Sequence, residues 1–310
     1  MDSQKIKGLV AAPFTPMNQD RSINLKLIPK LYKRFRQLGI TGVFINGSTS
    51  EGLSLTTAER KDLAEAWSDT VDDEFKLLIH VGHAGIDDAK GLASHAAQCT
   101  SVAGISMVGP FYRKPGTVSE LVSFCREVVR EAPDLPFYYY HIPALSGVDF
   151  TMYDFLAEAS TRIPTLRGIK FTNSDLIDFS RCLEYNDGEY DIMFGNDELM
   201  SCGLMLGARG FVGSTYNLFP HLYHEIINAF DHGELSRVRI LQRKSMEFVR
   251  LIDQYGYGGA AKGVMKLLAL DCGPARLPLR TIKSDELKSL EEDLKQADFF
   301  KYTIHKQAVS

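Results

Sequence analysis

The chain has 310 residues, 45% of them hydrophobic and 24% charged, with a formal net charge of −4 and a pI near 6.1. That suits a globular protein of one large or two medium domains, and the slightly acidic balance offers neither nucleic acid nor an anionic membrane a basic surface. No apolar run approaches the ~20 residues that span a bilayer, and the apolar stretch before Pro13 is too short for a signal-peptide core, so a cytoplasmic location is expected.

Along the chain, short β-branched or apolar runs alternate with amphipathic helical patterns. GLVAAP (8–13) is the first strand candidate, followed by a helix over 24–39. GVFING (42–47) reads as the second strand and leads into NGSTSEGLSL (46–55), which carries Ser48, Thr49 and Ser50. Small hydroxyl residues after a glycine expose successive backbone amides that suit a carboxylate or phosphate. The same string also reads as a turn capping the next helix, which starts at Thr56 or Thr57 and runs to 70. KLLIHVG (76–82), a helix over 87–99, GISMVG (104–109) and a helix over 117–132 continue the rhythm, with Phe111 and Tyr112 after the fourth strand. PFYYYH (136–141) ends on Tyr140 and His141, and LRGIKF (166–171) contains Lys170 and is followed by Thr172. YDIMFG (190–195) precedes Asn196, Asp197 and Glu198, and RGFVGS (209–214) ends on Ser214. Helices near 150–160, 174–187, 197–207 and 218–231 separate these runs; beyond 231 the strand signals stop, and three helices follow near 233–254, 258–271 and 284–298.

Strands alternating with helices predict βαβ units and a parallel sheet. Eight units within about 230 residues, with no GxGxxG turn after the first strand, favour a closed barrel over an open doubly wound sheet. The expected architecture is α/β: a (β/α)8 TIM barrel over 1–231 with a C-terminal three-helix extension over 232–310 packed on it. Active sites of this fold lie at the C-terminal strand ends, so the polar residues there are the candidates.

Lys170 is the most pointed of them, because an unpaired ammonium is costly to bury. Alternation puts Gly168, Lys170 and Thr172 on one strand face and the bulky Ile169 and Phe171 on the other, so Lys170 is expected to face the lumen. There the loss of water lowers its pKa and leaves a nucleophilic amine able to form a Schiff base with a ketone. The alternative is a lysine near a strand end that snorkels to solvent. Tyr138 and Tyr140 share a face opposite Tyr139. Tyr140, at the top of the strand before that of Lys170, is placed for proton transfer, whereas Tyr138 and Tyr139 read as core. A metal site is the competing chemistry, with His80, His83 and His141 at strand ends. His80 and His83 have opposite parity, however, and no acidic residue joins them at ligand spacing. The five cysteines lack a CxxC pair and read as reduced thiols.

GSTSEGLSLT, YYYHIPALSGV, GIKFTNSD, FGNDE and GSTYN, in this order, resemble the N-acetylneuraminate lyase branch of the family that also contains dihydrodipicolinate synthase. The likeness runs from Gly8 to about Pro278. It implies a barrel with a helical extension, a homotetramer, and class I aldolase chemistry through a covalent lysine imine with no metal or organic cofactor. It also implies that Lys170 is the Schiff-base lysine and Tyr140 the acid–base tyrosine. Ser48 and Thr49 would hold the keto-acid carboxylate, while Thr172, Gly195, Asp197, Glu198 and Ser214 would contact the polyhydroxylated tail. Tyr112 matches a tyrosine that reaches into a neighbouring subunit's site.

Within the family, synthases resemble YNVPxRTG at the fifth strand, with an arginine for a substrate carboxylate. The matching stretch here is YHIPALSG, with Leu145 at that position, while Asp197 and Glu198 offer acceptors to sugar hydroxyls. Two departures stand out: Ser50 where a glycine is common, which would be uncomfortable at positive φ, and His141 where asparagine is common. The expected reaction is reversible cleavage of N-acetylneuraminate to pyruvate and N-acetylmannosamine. The alternatives are another pyruvate aldolase acting on a shorter 2-keto-3-deoxy sugar acid, and a non-catalytic barrel that binds sialic acid.

Overall fold

Eight short strands pair in parallel and close on themselves in sequence order, β8 returning to β1. A computed structural model describes residues 5–303. The strands are β1 (Gly8–Ala11), β2 (Gly42–Ile45), β3 (Lys76–His80), β4 (Gly104–Met107), β5 (Phe137–His141), β6 (Leu166–Phe171), β7 (Asp191–Phe194) and β8 (Gly210–Gly213). Around them lie α1 (Ile28–Gln37), α2 (Thr57–Ser68), α3 (Ile86–Ala96), α4 (Val118–Val129), the single turn α5 (Pro143–Ser146), α6 (Met152–Arg162), α7 (Leu176–Gly188), α8 (Met200–Leu206) and α9 (Pro220–Asp231). Beyond the barrel come α10 (Leu235–Asp253), α11 (Tyr257–Leu267) and α12 (Ser284–Gln296). The (β/α)8 barrel expected from the strand–helix rhythm is the fold observed, with the C-terminal helices present.

Strand alternation sorts the apolar residues into two cores. Val10, Phe44, Leu78, Tyr138, Tyr140, Met193 and Val212 pack inside the barrel. Leu9, Val43, Leu77, Ile105, Tyr139, Ile169 and Phe171 point outward into the larger layer beneath the helices. The parity argument for strand six therefore holds: Ile169 and Phe171 face the helices, and Lys170 faces the lumen.

The floor of the lumen holds a buried, hydrogen-bonded carboxylate. Asp191 accepts hydrogen bonds from the Ile6 amide at 3.0 Å and from the Tyr138 hydroxyl at 3.2 Å. Tyr138, read as a core aromatic, thus uses its ring for packing and its hydroxyl to partner a buried carboxylate.

Local details depart from the sequence reading where tertiary geometry overrides periodicity. The helix expected over 197–207 begins as a 3-10 turn, Asp197–Leu199, and α8 follows only from Met200. Helix α7 is interrupted by non-helical residues at Tyr185, Asn186 and Asp187. Helix α11 ends at Leu267 rather than near 271, because Ala269 adopts φ 61° and turns the chain away. The capping reading of the second loop is correct: Thr56 and Glu59 exchange hydrogen bonds in a capping box that starts α2.

Gly168 is the tightest strand approach beside the functional lysine. It pairs with Asp191, and a Cβ there would lie 1.8 Å from the Asp191 carbonyl oxygen. Backbone cannot retreat from such a clash without opening the β6–β7 seam. Gly168→Ala is predicted to lower folding stability by about 3 kcal/mol or more; urea unfolding checks this, and an unchanged midpoint would contradict it.

Candidate active site

The C-terminal strand ends surround a cavity of about 1040 Å³. Each strand-end residue placed in the substrate-handling set lies in its wall: Ser48 and Thr49 after β2, Tyr140 on β5, Lys170 and Thr172 at β6, Gly195, Asp197 and Glu198 after β7, and Ser214 after β8. Tyr112 does not line it; that side chain is 86% exposed. Leu145 lies on α5, exposed and outside the cavity wall.

Lys170 is 4% exposed and stands between Tyr140 and Met193 in the strand register. Its Nζ lies 3.8 Å from the Tyr140 ring centroid and 3.9 Å from that of Phe44. Burial drives its pKa down to about 7, with the negative charge of Asp197 opposing the shift. A large fraction of the side chain is therefore a neutral amine at neutral pH. The snorkelling alternative is excluded by this burial and orientation.

Tyr140 is also buried, which pushes its phenol up to about 12; its hydrogen bond with Ser48 opposes the shift. The two hydroxyl oxygens are 2.9 Å apart. Phe44 meets the Tyr140 ring edge-to-face at 5.3 Å and His80 does so at 6.0 Å, fixing the plane of the ring over the lysine. The phenol is therefore protonated at neutral pH and lines the cavity beside the lysine amine.

The β2 loop presents a second feature. Among the described residues, the backbone amides of Ser48 and Thr49 donate to no other protein group, so they are free to receive an anion. The left-handed conformation that was a concern for Ser50 falls instead on Asn46 (φ 60°) and Glu51 (φ 58°). Ser50 donates its hydroxyl to the Pro13 carbonyl at 2.8 Å and accepts at its own carbonyl from Thr15 at 2.6 Å, which ties the loop to the segment that follows β1.

The opposite wall is acidic. Asp197 accepts from the Thr215 amide at 3.1 Å and hydroxyl at 2.6 Å, while its Oδ1 is buried without a protein partner. It packs so closely on β8 that a Cβ at Gly213 would overlap its carboxylate. Burial raises its pKa despite these hydrogen bonds, and burial together with the Asp197 charge raises that of Glu198. Ser214 pairs with the Tyr257 hydroxyl at 2.8 Å.

Tyr257, Met246, Arg250 and Asp253 come from α10 and α11 and complete the wall. None was singled out from sequence, because nothing in a helical period says that one turn of an extension returns to the barrel mouth. The only local signal is the tyrosine set between glycines in Gly256-Tyr257-Gly258.

The histidines of the metal alternative are otherwise engaged. His80 Nε2 accepts from the Val108 amide at 3.1 Å, and Arg60 donates to the His80 carbonyl at 2.6 Å. Burial and the Arg60 cation hold the His80 pKa well below its usual value. His83 sits 3.4 Å from Asp88, and His141 points to the outer layer beside Phe171 and Asn173. No group of three or more potential metal ligands occurs among the described residues.

A model of the dihydrodipicolinate synthetase family matches residues 5–297. The chain is similar to the N-acetylneuraminate lyase of Homo sapiens, with 37% identity over 97% of this chain and 95% of that one. It is also similar to N-acetylneuraminate lyase A of Xenopus laevis, with 39% identity over 95% and 98% of the two chains. Among solved structures it resembles that of Proteus mirabilis N-acetylneuraminate lyase, with a TM-score of 0.92 and 38% identity over 96% of this chain and all of that one.

The burial of Lys170 has a measurable consequence for stability. The unfolded lysine keeps its proton to about 10.5, whereas the folded one releases it near 7. Between those values the unfolded state binds more protons, so the penalty for burying the group is full below pH 7 and fades as pH rises. Lys170→Met is predicted to be more stable than the parent by roughly 2–5 kcal/mol at pH 6, with a smaller gap at pH 9. Urea unfolding at both pH values checks this; a gap that is absent or independent of pH would contradict it.

Proposed function

The chain belongs to the dihydrodipicolinate synthetase family, and from that premise we propose that it is a class I aldolase cleaving N-acetylneuraminate reversibly into pyruvate and N-acetylmannosamine. The observation that carries the chemistry is the neutralised, lumen-facing Lys170 packed beneath Tyr140. The identity of the sugar acid rests on the likeness to lyases over nearly the whole chain. Leu145, in place of an arginine for a second carboxylate, agrees with it.

In this reading the substrate carboxylate sits on the free amides and hydroxyls of Ser48 and Thr49, which brings the C2 ketone of the open-chain sugar acid to Lys170. The amine adds to C2 and water leaves, giving a protonated imine. Tyr140 takes the C4 hydroxyl proton while passing its own to the substrate carboxylate, since a phenol with a pKa near 12 acts as a relay rather than a standing base. The C3–C4 bond breaks, its electrons move to the imine nitrogen as an enamine, and C4 leaves as the aldehyde of N-acetylmannosamine. Protonation of the enamine at C3 and addition of water release pyruvate and restore the amine. Lysine supplies the electron sink, so the scheme calls for no metal or organic cofactor. Thr172, Gly195, Asp197, Glu198 and Ser214 line the side along which the hydroxylated tail would lie, and their acceptor oxygens suit its hydroxyls.

We further place the enzyme in the cytoplasm as a homotetramer. Five free cysteines support a reducing compartment, and among the described residues no helix is long and apolar enough to cross a membrane. Exposed Tyr112, Ile177 and Met205 support association with further copies, and the family resemblance is what assigns Tyr112 to a neighbour's site.

The test is release of pyruvate and N-acetylmannosamine from N-acetylneuraminate. Lys170→Ala is predicted to abolish release. Tyr140→Phe is predicted to lower kcat by about 10²–10⁴-fold. Near-normal turnover by either variant would contradict the assignment.

A further inference from the structure

Ser48 and Thr49 hold the keto-acid site, but the loop they stand on is fixed from elsewhere. Glu51, two residues on, lies in the left-handed region with φ 58° and ψ 27°, where residues bearing a Cβ are uncommon. Its side chain is 3% exposed. One carboxylate oxygen is 2.6 Å from Lys262 Nζ, and the other accepts from the Arg276 backbone amide at 2.6 Å. Lys262 lies on α11, is itself 2% exposed, and donates to the Pro274 carbonyl at 2.9 Å.

Arg276 extends the same clasp. Its guanidinium meets both oxygens of Glu59, at 2.7 and 2.8 Å, and donates to the Ser54 carbonyl at 3.1 Å. Glu59 is the residue that closes the capping box of α2. The segment Pro274–Arg276 is therefore tied to the carboxylate loop at Glu51 and again where the loop enters α2. A carboxylate and an ammonium withdrawn from water hold each other in place, and removing one leaves the other buried and uncompensated.

We propose that Lys262 and Arg276, on the C-terminal extension, are positioning residues for keto-acid recognition, acting through Glu51 to hold Ser48 and Thr49 in the conformation that receives the substrate carboxylate. The inference rests on the aldolase reading of the cavity. The loop touches the carboxylate in the ground state and the transition state alike, so loosening it weakens binding more than it slows chemistry. A purely structural pair would instead lower thermal stability and leave the Michaelis constants alone.

The test is condensation of pyruvate with N-acetylmannosamine by Lys262→Met, Glu51→Gln, the double variant and Arg276→Ala, each checked for folding by circular dichroism. Lys262→Met is expected to raise the KM for pyruvate by about tenfold or more, with kcat within about threefold and the KM for the amino sugar unchanged. The double variant should be no worse than the worse single one, since both remove the same interaction. Arg276→Ala should shift the pyruvate KM in the same direction by less. A folded Lys262→Met with an unchanged pyruvate KM, or with both KM values and kcat impaired together, would overturn the proposal. Should Lys262→Met fail to fold, Arg276→Ala decides, and an unchanged pyruvate KM there overturns it. A parent protein inactive in condensation would overturn the aldolase reading, and this inference with it; an active parent with unaffected variants would overturn this inference alone.

Discussion

A lysine buried in the wall of a cavity at the mouth of a closed barrel is the constraint around which this molecule is arranged. Hydrated ammonium strongly resists such a place, and among the described residues Lys170 has no carboxylate in direct contact to compensate it. It has two aromatic faces, from Phe44 and Tyr140, and the more distant charge of Asp197. The compromise is a group poised between its charged and neutral forms near pH 7. Stability is given up at the position where nucleophilicity is needed, as expected when a functional group opposes folding.

The barrel makes that compromise possible. Its strands bring residues from β2, β5, β6, β7 and β8 to one rim, and the rings of Phe44 and Tyr140 packed against the amine leave Lys170 little exposed to water. Opposite walls then divide the work. One side presents the Ser48 and Thr49 amides, which donate to no protein group among the described residues, beside the Ser48 hydroxyl paired with Tyr140, and the other presents the acidic pair Asp197 and Glu198 with Ser214 and Tyr257. An anion fits the first and a row of hydroxyls the second, which is the polarity of a sugar acid. The C-terminal helices are part of this arrangement: Tyr257 closes the cavity wall, and Lys262 and Arg276 grip the loop that carries Ser48.

Much of this was legible in the sequence, for physical reasons. A strand period of two, with bulky Ile169 and Phe171 on alternate positions, is enough to point Lys170 inward, and the same parity separates Tyr140 from Tyr139. The strand–helix rhythm yields the barrel, and the barrel says which strand ends to inspect. What was hidden is what depends on distant partners. Glu51 and Lys262 lie more than 200 residues apart, and neither has a periodicity that betrays the other. Ser50 stands where strain is expected, yet the left-handed turns fall on Asn46 and Glu51, and the hydrogen bonds of Ser50 to Pro13 and Thr15 hold it at ordinary φ. Tyr112 is exposed and absent from the cavity wall, so its position in the sequence after β4 did not by itself bring it to the site.

The proposed chemistry requires Lys170 to form an imine with a keto acid. Borohydride reduction in the presence of pyruvate, followed by digestion and peptide mass mapping, tests it most directly. A single reduced pyruvyl adduct is expected on the peptide containing Lys170. Folded protein that acquires no adduct, or acquires it on another lysine, would contradict it.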